Sequence, residues 1–186
     1  MTDSSMCGMF VSGWYSKAET LASPFFNDRP GNEIDMLVIH NISLPAGQFG
    51  LPYIADLFQG CLDCSAHPDF FDLQGVEVSS HFLIHRDGRL RQFVATDKRA
   101  WHAGVSCYEG RENCNDFSIG IELEGCDEKP FTDQQYRQLA ILSRDLISHY
   151  GILPERIVGH SDIAPGRKTD PGSCFDWSRY RKSLEL

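Results

Sequence analysis

The run Met36-Leu37-Val38-Ile39-His40-Asn41 places four consecutive apolar residues before a histidine and an asparagine. A short apolar run of this kind predicts a buried strand, with the histidine at its end. A second stretch, residues 118–124, alternates strictly between apolar and other residues. Its period of two predicts another strand, with Ile119, Ile121 and Leu123 on one face and Gly120, Glu122 and Glu124 on a polar face.

Further strands are predicted on either side of these two. Residues 80–85 and 90–94 flank the sequence Arg-Asp-Gly-Arg, whose central residues Asp87 and Gly88 are typical of a tight turn. Two strand-like runs around an Asp-Gly turn predict an antiparallel hairpin. Residues 157–158, Ile-Val, predict a short strand that leads directly into a second histidine, His160.

The clearest helix signal begins at Thr132, which forms a capping box with Gln135, and ends at Gly151. Shorter helices are predicted over residues 52–59, after an initial proline, and following Asp176. Strands mixed with helices, including one hairpin, predict an α/β domain in which helices flank a mixed central sheet.

The length of 186 residues is sufficient for one domain with its own apolar core. We find no repeat, low-complexity tract or linker, so residues 1–186 are expected to form a single domain with its core at about 30–180. Residues 1–30 look irregular. Residues 61–78 have no clean period and predict a long loop, which is a common location for substrate contacts.

Composition excludes several classes of partner. The net charge is −9 and no basic segment is present, so nucleic acid is not an expected ligand. No apolar stretch approaches the ~18 residues of a membrane span. Residues 1–7 lack the basic and apolar regions of a secretory signal. An odd number of cysteines, seven, favours free thiols and a cytoplasmic location. The sequence leaves the oligomeric state open and is compatible with a monomer.

The most informative motif is Gly-His-Ser-Asp-Ile-Ala-Pro-Gly-Arg-Lys-Thr-Asp-Pro-Gly over residues 159–172. It supplies His160 and Asp170, and the buried strand upstream supplies His40. Two histidines and one aspartate leave a fourth position on zinc open for water, as in catalytic zinc sites. Either histidine alone could be a half-buried residue bonded to the backbone, spacing does not establish proximity, and Cys174 is an alternative third ligand.

Other residues have a functional and an ordinary interpretation. Glu122 could be a general base that takes a proton from water and returns it to a leaving amine, or a solvated carboxylate, with Glu124 as its competitor. Lys168 could stabilise an oxyanion or be a surface lysine. Trp101 and His102 could form a wall for a sugar or peptide, or a core tryptophan with a turn.

Four blocks of sequence resemble the AmpD-type zinc amidases, the cytoplasmic N-acetyl-anhydromuramyl-L-alanine amidases of bacterial cell-wall recycling. The blocks are residues 38–45, 97–106, 115–125 and 159–172, and the match extends in order over roughly residues 12–180. The resemblance implies a fold shared with phage amidases and peptidoglycan-recognition proteins. In that fold a mixed sheet is flanked by helices and the metal lies in a surface groove.

The resemblance also implies a role for individual residues. It assigns one zinc ion per chain to His40, His160 and Asp170. Glu122 takes the acid/base role and Lys168 stabilises the oxyanion. Substrate contacts are assigned to Asn41, Trp101 and His102. In the phage and recognition branches the third ligand is a cysteine closer to the second histidine. Asp170 occupies the aspartate position of the AmpD branch, which disfavours Cys174.

The implied reaction is zinc-dependent hydrolysis of the amide between the lactyl group of an anhydro-muramyl sugar and the L-alanine of its stem peptide. The implied partner is thus a small muropeptide. Three alternatives stay open from the sequence. They are a peptidoglycan-binding protein without catalysis, an amidase that acts on intact cell wall outside the cytoplasm, and a structural zinc protein.

Overall fold

The computed structural model describes residues 8–184. Residues 1–7, for which the absence of a secretory signal was predicted, and with them the thiol of Cys7, lie outside this part of the chain. The strands are β1 (Phe10–Val11), β2 (Trp14–Tyr15), β3 (Glu19–Thr20), β4 (Phe26–Asp28), β5 (Met36–Ile42), β6 (Phe82–Ile84), β7 (Leu90–Gln92), β8 (Lys98–Ala100), β9 (Cys107–Tyr108), β10 (Arg111–Glu112), β11 (Ser118–Glu124) and β12 (Ile157–Gly159). The α-helices are α1 (Tyr53–Phe58), α2 (Asp133–Tyr150), α3 (His160–Ile163) and α4 (Trp177–Leu184).

The central sheet has the strand order β12-β5-β11-β6-β7-β3. Strand β5 is parallel to both of its neighbours, β12 and β11, and β6 is parallel to β11. The predicted hairpin is present, since β7 runs antiparallel to β6. The sheet is therefore mixed and flanked by helices, which confirms the predicted fold class. Because β12, β5 and β11 are parallel, their carboxyl ends meet at one edge of the sheet.

Different groups of side chains pack on the two faces of the sheet. On one face, side chains such as Leu37 and Ile121 pack against the apolar stripe of α2 and against Tyr180 of α4. On the other face, Met36 and Val38 of β5 pack in a smaller cluster with Phe117. Side chains alternate along a strand, so His40 lies on this second face together with Met36 and Val38.

Helix α2 begins and ends as its sequence predicts. The Thr132 hydroxyl accepts a hydrogen bond from the Gln135 backbone N–H, and the Gln135 side chain accepts one from the Thr132 N–H, both at 3.1 Å. Gly151 ends the helix with φ of 71°, a left-handed conformation that glycine adopts without strain. Gln135 also donates to the main-chain oxygen of Glu124 at 2.9 Å, which ties the helix to β11.

Two predictions were wrong in part. The described portion of residues 1–30 is not irregular, because β3 adds to the sheet edge beside β7 and β4 pairs with β8. The predicted loop over residues 61–78 contains a 3-10 helix, Pro68–Leu73, whose first turn is capped by the His67 ring. Of the two interpretations left open for Glu122, the solvated carboxylate is excluded, because all residues of β11 are buried.

The cysteines of the described residues are all free thiols, as predicted: Cys61, Cys64, Cys107, Cys114, Cys126 and Cys174. Within residues 8–184, no helix combines the length and the apolar character needed to cross a membrane.

Candidate metal centre and active site

The carboxyl ends of three parallel strands bring the predicted site together. His40 lies near the end of β5 and is in register with Glu122 on the adjacent strand β11. On the opposite side, β12 ends at Gly159, which is in register with Ile39, and His160 follows immediately. The sheet register therefore places two imidazoles and one carboxylate side by side, although they are distant in sequence.

A tight turn after β12 completes the group. The Asp162 carboxylate accepts a hydrogen bond from the Gly159 N–H at 2.7 Å, which fixes the entry into α3. The Ser161 N–H donates to the main-chain oxygen of Asp170 at 3.0 Å. This bond folds the loop over residues 164–170 back, so that the Asp170 side chain meets His160.

The three predicted ligand atoms converge. His40 Nδ1 lies 3.0 Å from His160 Nδ1 and 3.0 Å from Asp170 Oδ2, and His160 Nδ1 lies 3.1 Å from the same oxygen. Both histidines are buried, at 1% and 3% exposure. Within residues 8–184 these form the one group of three or more histidine, cysteine or carboxylate side chains arranged to hold a metal ion.

A main-chain oxygen defines where the proton of His160 lies. Its Nε2 is 3.1 Å from the carbonyl oxygen of Ala103. A carbonyl oxygen only accepts hydrogen bonds, so Nε2 carries the proton and donates it. In the neutral ring Nδ1 is then bare, and its lone pair points toward Asp170 and His40.

A chain of hydrogen bonds defines the proton of His40 in the same way. The Ser118 hydroxyl donates to the Cys114 carbonyl oxygen at 2.6 Å and therefore accepts from His102 Nε2 at 3.2 Å. Burial lowers the pKa of His102 well below its ordinary value, so its ring is neutral and its Nδ1 is bare. That Nδ1 accepts from His40 Nε2 at 2.9 Å. Burial also lowers the pKa of His40, to about 4, so its Nδ1 is bare as well.

With the proton positions assigned, the three donor atoms can be compared with those of a zinc site. In the neutral rings, with both protons on Nε2, the two Nδ1 atoms and a carboxylate oxygen lie 3.0–3.1 Å apart with their lone pairs facing one another. Such an arrangement of lone pairs is repulsive unless a cation is shared among them. Tetrahedral zinc with bonds of about 2.0–2.1 Å separates its ligand atoms by roughly 3.3 Å. The donor set and its spacing fit zinc.

Glu122 is the carboxylate beside this group. It is 8% exposed, and its Oε2 is buried with no hydrogen-bond partner among the described residues. Burial, and after it the negative charge of Asp170, raise the pKa of Glu122 well above its ordinary value. A carboxyl group with a raised pKa and an unused oxygen is suited to take up and release a proton.

Every residue predicted for the site lines one cavity of about 220 Å³: His40, Asn41, Trp101, His102, Glu122, His160, Lys168 and Asp170. Lys168 is exposed at the rim. Cys174, the alternative ligand, lies outside the cavity wall, and its N–H donates to Asp127 O at 3.3 Å.

The side chains predicted to contact substrate form hydrogen bonds with other residues of the protein. The Asn41 amide donates to Asp127 Oδ1 at 2.7 Å and to Pro171 O at 3.0 Å, and thereby holds the loop that carries Asp170. The Trp101 indole N–H donates to Asn27 Oδ1 at 2.7 Å, which leaves its ring as part of the cavity wall. His102 contacts His40 directly.

The sequence reasoning missed several residues that support the site. Asn115, Ser118 and the carbonyl of Ala103 contact the histidines or their partners. Their roles depend on hydrogen bonds between distant segments, and a single sequence carries no signal for these.

Comparison with known proteins identifies the family. A family model described as N-acetylmuramoyl-L-alanine amidase matches residues 30–173. The chain belongs to this amidase family. A relative from Escherichia coli (strain K12), "1,6-anhydro-N-acetylmuramyl-L-alanine amidase AmpD", is 55% identical over 174 residues, which cover 93% of this chain and 95% of the relative.

Solved amidase structures share the fold. The crystal structure of a selenomethionine AmpD derivative superposes with a TM-score of 0.92 at 51% identity, and the match covers 96% of this chain and 100% of that chain. The E. coli amidase AmiD, solved in complex with the substrate anhydro-N-acetylmuramic acid-L-Ala-D-γ-Glu-L-Lys, matches with a TM-score of 0.62 at 32% identity. That match covers 81% of this chain and 57% of the AmiD chain.

Proposed function

We propose that this amidase hydrolyses the bond between the lactyl group of 1,6-anhydro-N-acetylmuramic acid and the L-alanine of the stem peptide, in cytoplasmic peptidoglycan recycling. The observation that carries the proposal is the group of His40, His160 and Asp170 beside the unpartnered carboxylate of Glu122. The 55% identical relative from Escherichia coli, a 1,6-anhydro-N-acetylmuramyl-L-alanine amidase, supports this substrate. Free thiols at every described cysteine are compatible with a reducing compartment.

His40, His160 and Asp170 would hold one zinc ion per chain. When bound, zinc polarises a carbonyl group and lowers the pKa of a coordinated water to about 7. The contribution of the protein is to aim both Nδ1 atoms at one point, because each Nε2 is bonded to another protein group. Three protein ligands leave room for water or substrate, as in other hydrolytic zinc sites.

Glu122 is the proposed general base and acid. Its free Oε2 accepts a proton from the attacking water and later delivers it to the nitrogen of the departing L-alanine. An amine is a poor leaving group unless it is protonated, so both transfers are needed for one turnover. Burial keeps the pKa of Glu122 raised, and the positive charge of Lys168 opposes this shift.

Lys168 is the proposed oxyanion partner. Its side chain lines the same cavity as Glu122 and Asp170. As the carbonyl carbon becomes tetrahedral, negative charge develops on its oxygen, and a fixed ammonium group nearby stabilises that charge. The Trp101 ring forms part of the cavity wall and offers an apolar surface to the sugar.

Product analysis by mass spectrometry tests the proposed function. Purified protein is incubated with anhydro-muramyl-tripeptide in three forms: loaded with zinc, stripped by a chelator, and reloaded. We expect free tripeptide and anhydro-sugar from the first and third samples and intact substrate from the second. Intact substrate at full zinc occupancy would contradict the proposal and favour a peptidoglycan-binding protein. Cleavage of intact cell wall in preference to the anhydro-muropeptide would instead favour an extracytoplasmic amidase.

A further inference from the structure

We infer that Asn115 is a positioning residue for the metal centre, because one oxygen of its side chain holds the outer hydrogen-bond partners of both histidine ligands. The inference rests on the proposed function, since it takes His40 and His160 as ligands. Asn115 touches neither the ligand atoms nor the cavity, and it acts through the turn at residues 102–103.

The buried side chain of Asn115 bonds to the backbone of two consecutive residues. Asn115 Oδ1 accepts hydrogen bonds from two consecutive backbone N–H groups, from His102 at 3.1 Å and from Ala103 at 2.8 Å. The residue is 5% exposed. An amide oxygen has two lone pairs, so both are used, and the turn is fixed from within the protein.

Each of the two residues held by Asn115 contacts a different ligand. The carbonyl oxygen of Ala103 accepts from His160 Nε2 at 3.1 Å. The ring of His102 accepts from His40 Nε2 at 2.9 Å. A shift of this turn would therefore release both imidazoles together, whereas loss of either contact alone would release one.

Strand β11 fixes the position of the His102 ring independently of Asn115. A Cβ atom at Gly120 would lie 2.5 Å from His102 Cγ, so the absence of a side chain on β11 makes room for the ring. The Ser118 hydroxyl accepts from the other nitrogen of His102. Ser118 and Gly120 are on the same strand as Glu122, so the strand that carries the proposed base also orients the partner of His40.

The segment that carries Asn115 is itself anchored. The partly buried guanidinium of Arg29 donates to the main-chain oxygens of Asn115 and Ser118 at 3.0 and 2.9 Å. These bonds join the 3-10 turn Cys114–Asp116 to the start of β11. Asn115 is therefore held on a rigid base, which is what orientation of a metal ligand requires.

Outer partners of metal-binding histidines fix the tautomer and the direction of the ring, and their loss typically reduces metal affinity about 10–100-fold. We expect Asn115→Ala to weaken zinc binding by at least about 10-fold on this scale. Asn115→Asp retains Oδ1 as an acceptor and is expected to recover most of the affinity. The measurement is competition for zinc between the metal-free protein and a chromogenic chelator.

Ser143→Ala provides a matched control. Ser143 is fully buried and bonded to Tyr180 at 2.6 Å between α2 and α4, away from the site. We expect Ser143→Ala to lower the thermal stability of the metal-free protein and to leave its zinc affinity at the wild-type value. Thermal unfolding of every metal-free variant separates a loss of folding from a loss of affinity. If Asn115→Ala does not fold, Ser118→Ala removes the acceptor for His102 and should weaken zinc binding in the same direction.

The outcomes separate this inference from the proposed function. Wild-type protein that fails to bind zinc would overturn both. Wild-type protein that binds zinc, together with a folded Asn115→Ala that binds it equally well, would overturn the inference alone. A loss of affinity in Ser143→Ala equal to that in Asn115→Ala would also overturn it, because the effect would then reflect general destabilisation.

Discussion

Glu122 and Glu124 are two buried carboxylates on the same face of the same strand, and their surroundings are opposite. Glu124 accepts hydrogen bonds from the Gly50 N–H at 2.5 Å and the Arg86 N–H at 3.0 Å, and it lies 3.3 Å from the His85 ring. Burial alone would raise the pKa of Glu124, but these bonds lower it to about 2. The Oε2 of Glu122 has no partner among the described residues, and its pKa is raised.

The difference shows what separates a structural carboxylate from one available for chemistry. The lowered pKa keeps Glu124 ionised at neutral pH, and its lone pairs are used to join the loop at Gly50 to the turn at Arg86. Glu122 keeps an unused oxygen next to the proposed metal ligands. The residue type and the strand are the same, so the neighbouring donors decide the role.

The largest effect is expected for Glu122→Gln. The amide cannot accept or deliver the proton, so kcat for the anhydro-muropeptide should fall by about 10²–10⁴-fold. Zinc content should equal that of the wild type, because Glu122 is not a proposed ligand. Steady-state kinetics with metal analysis check this. Wild-type turnover at equal zinc occupancy would remove Glu122 from the mechanism.

Lys168→Met should have the next largest effect. Loss of one oxyanion-stabilising group typically reduces kcat about 10²–10³-fold. Lys168 is exposed at the rim, so the unfolding free energy of the metal-free protein should not change. Kinetics and thermal unfolding of the variant test both parts. A rise in KM with unchanged kcat would assign Lys168 to substrate binding instead.

Glu124→Gln should affect stability rather than chemistry. The new NH₂ group would face a backbone N–H that now has an acceptor, and an unsatisfied buried group costs about 1–3 kcal/mol of unfolding free energy. With its zinc site intact, the variant should retain the wild-type kcat below its melting temperature. Chemical denaturation and kinetics at the same temperature are the measurements. A kcat loss as large as that of Glu122→Gln would break the contrast between the two carboxylates.

The lowered pKa of Glu124 also predicts how the free energy of unfolding depends on pH. The pKa of Glu124 is lowered from 4.5 when unfolded to about 2 in the folded protein. Its ionised form therefore stabilises the fold above pH 4.5, and this contribution is lost as the pH falls toward about 2. The difference in unfolding free energy between wild type and Glu124→Gln should shrink over that range. A difference that does not change with pH would show that Glu124 is not ionised in the fold.

The smallest effect is expected for Thr132→Ala, on the helix that covers the opposite face of the sheet. Loss of the N-cap hydroxyl should lower the unfolding free energy by about 1 kcal/mol. Zinc affinity and kcat should remain at wild-type values, because α2 packs on the face away from His40 and Glu122. A change in zinc affinity would show that the two faces are coupled.

The sequence predicted the elements whose signals are local. The apolar run of β5 and the capping box and terminal glycine of α2 each lie within a few residues, and both elements were confirmed. The structure also brings the residues predicted for the site to one cavity, and their roles stay predictions. Family resemblance supplied their individual roles, because spacing alone does not show that His40 meets His160.

What the sequence left open and what it predicted wrongly share a physical cause. Whether the carboxylates of β11 are solvated depends on loops from other parts of the chain that cover Glu122 and Glu124. The short strands β3 and β4 exist because β7 and β8 offer hydrogen-bonding edges, and their own sequences carry no clear alternation. The contacts of Asn115 also form only in the folded chain.

X-ray absorption at the zinc edge of the metal-loaded protein tests the central claim most directly. The claim is that His40, His160 and Asp170 hold zinc and leave one position open. The account predicts scattering from two imidazole rings, with all other atoms bound directly to zinc fitted as oxygen and none as sulfur. A sulfur ligand at about 2.3 Å, or a third imidazole, would contradict it and indicate a different zinc site.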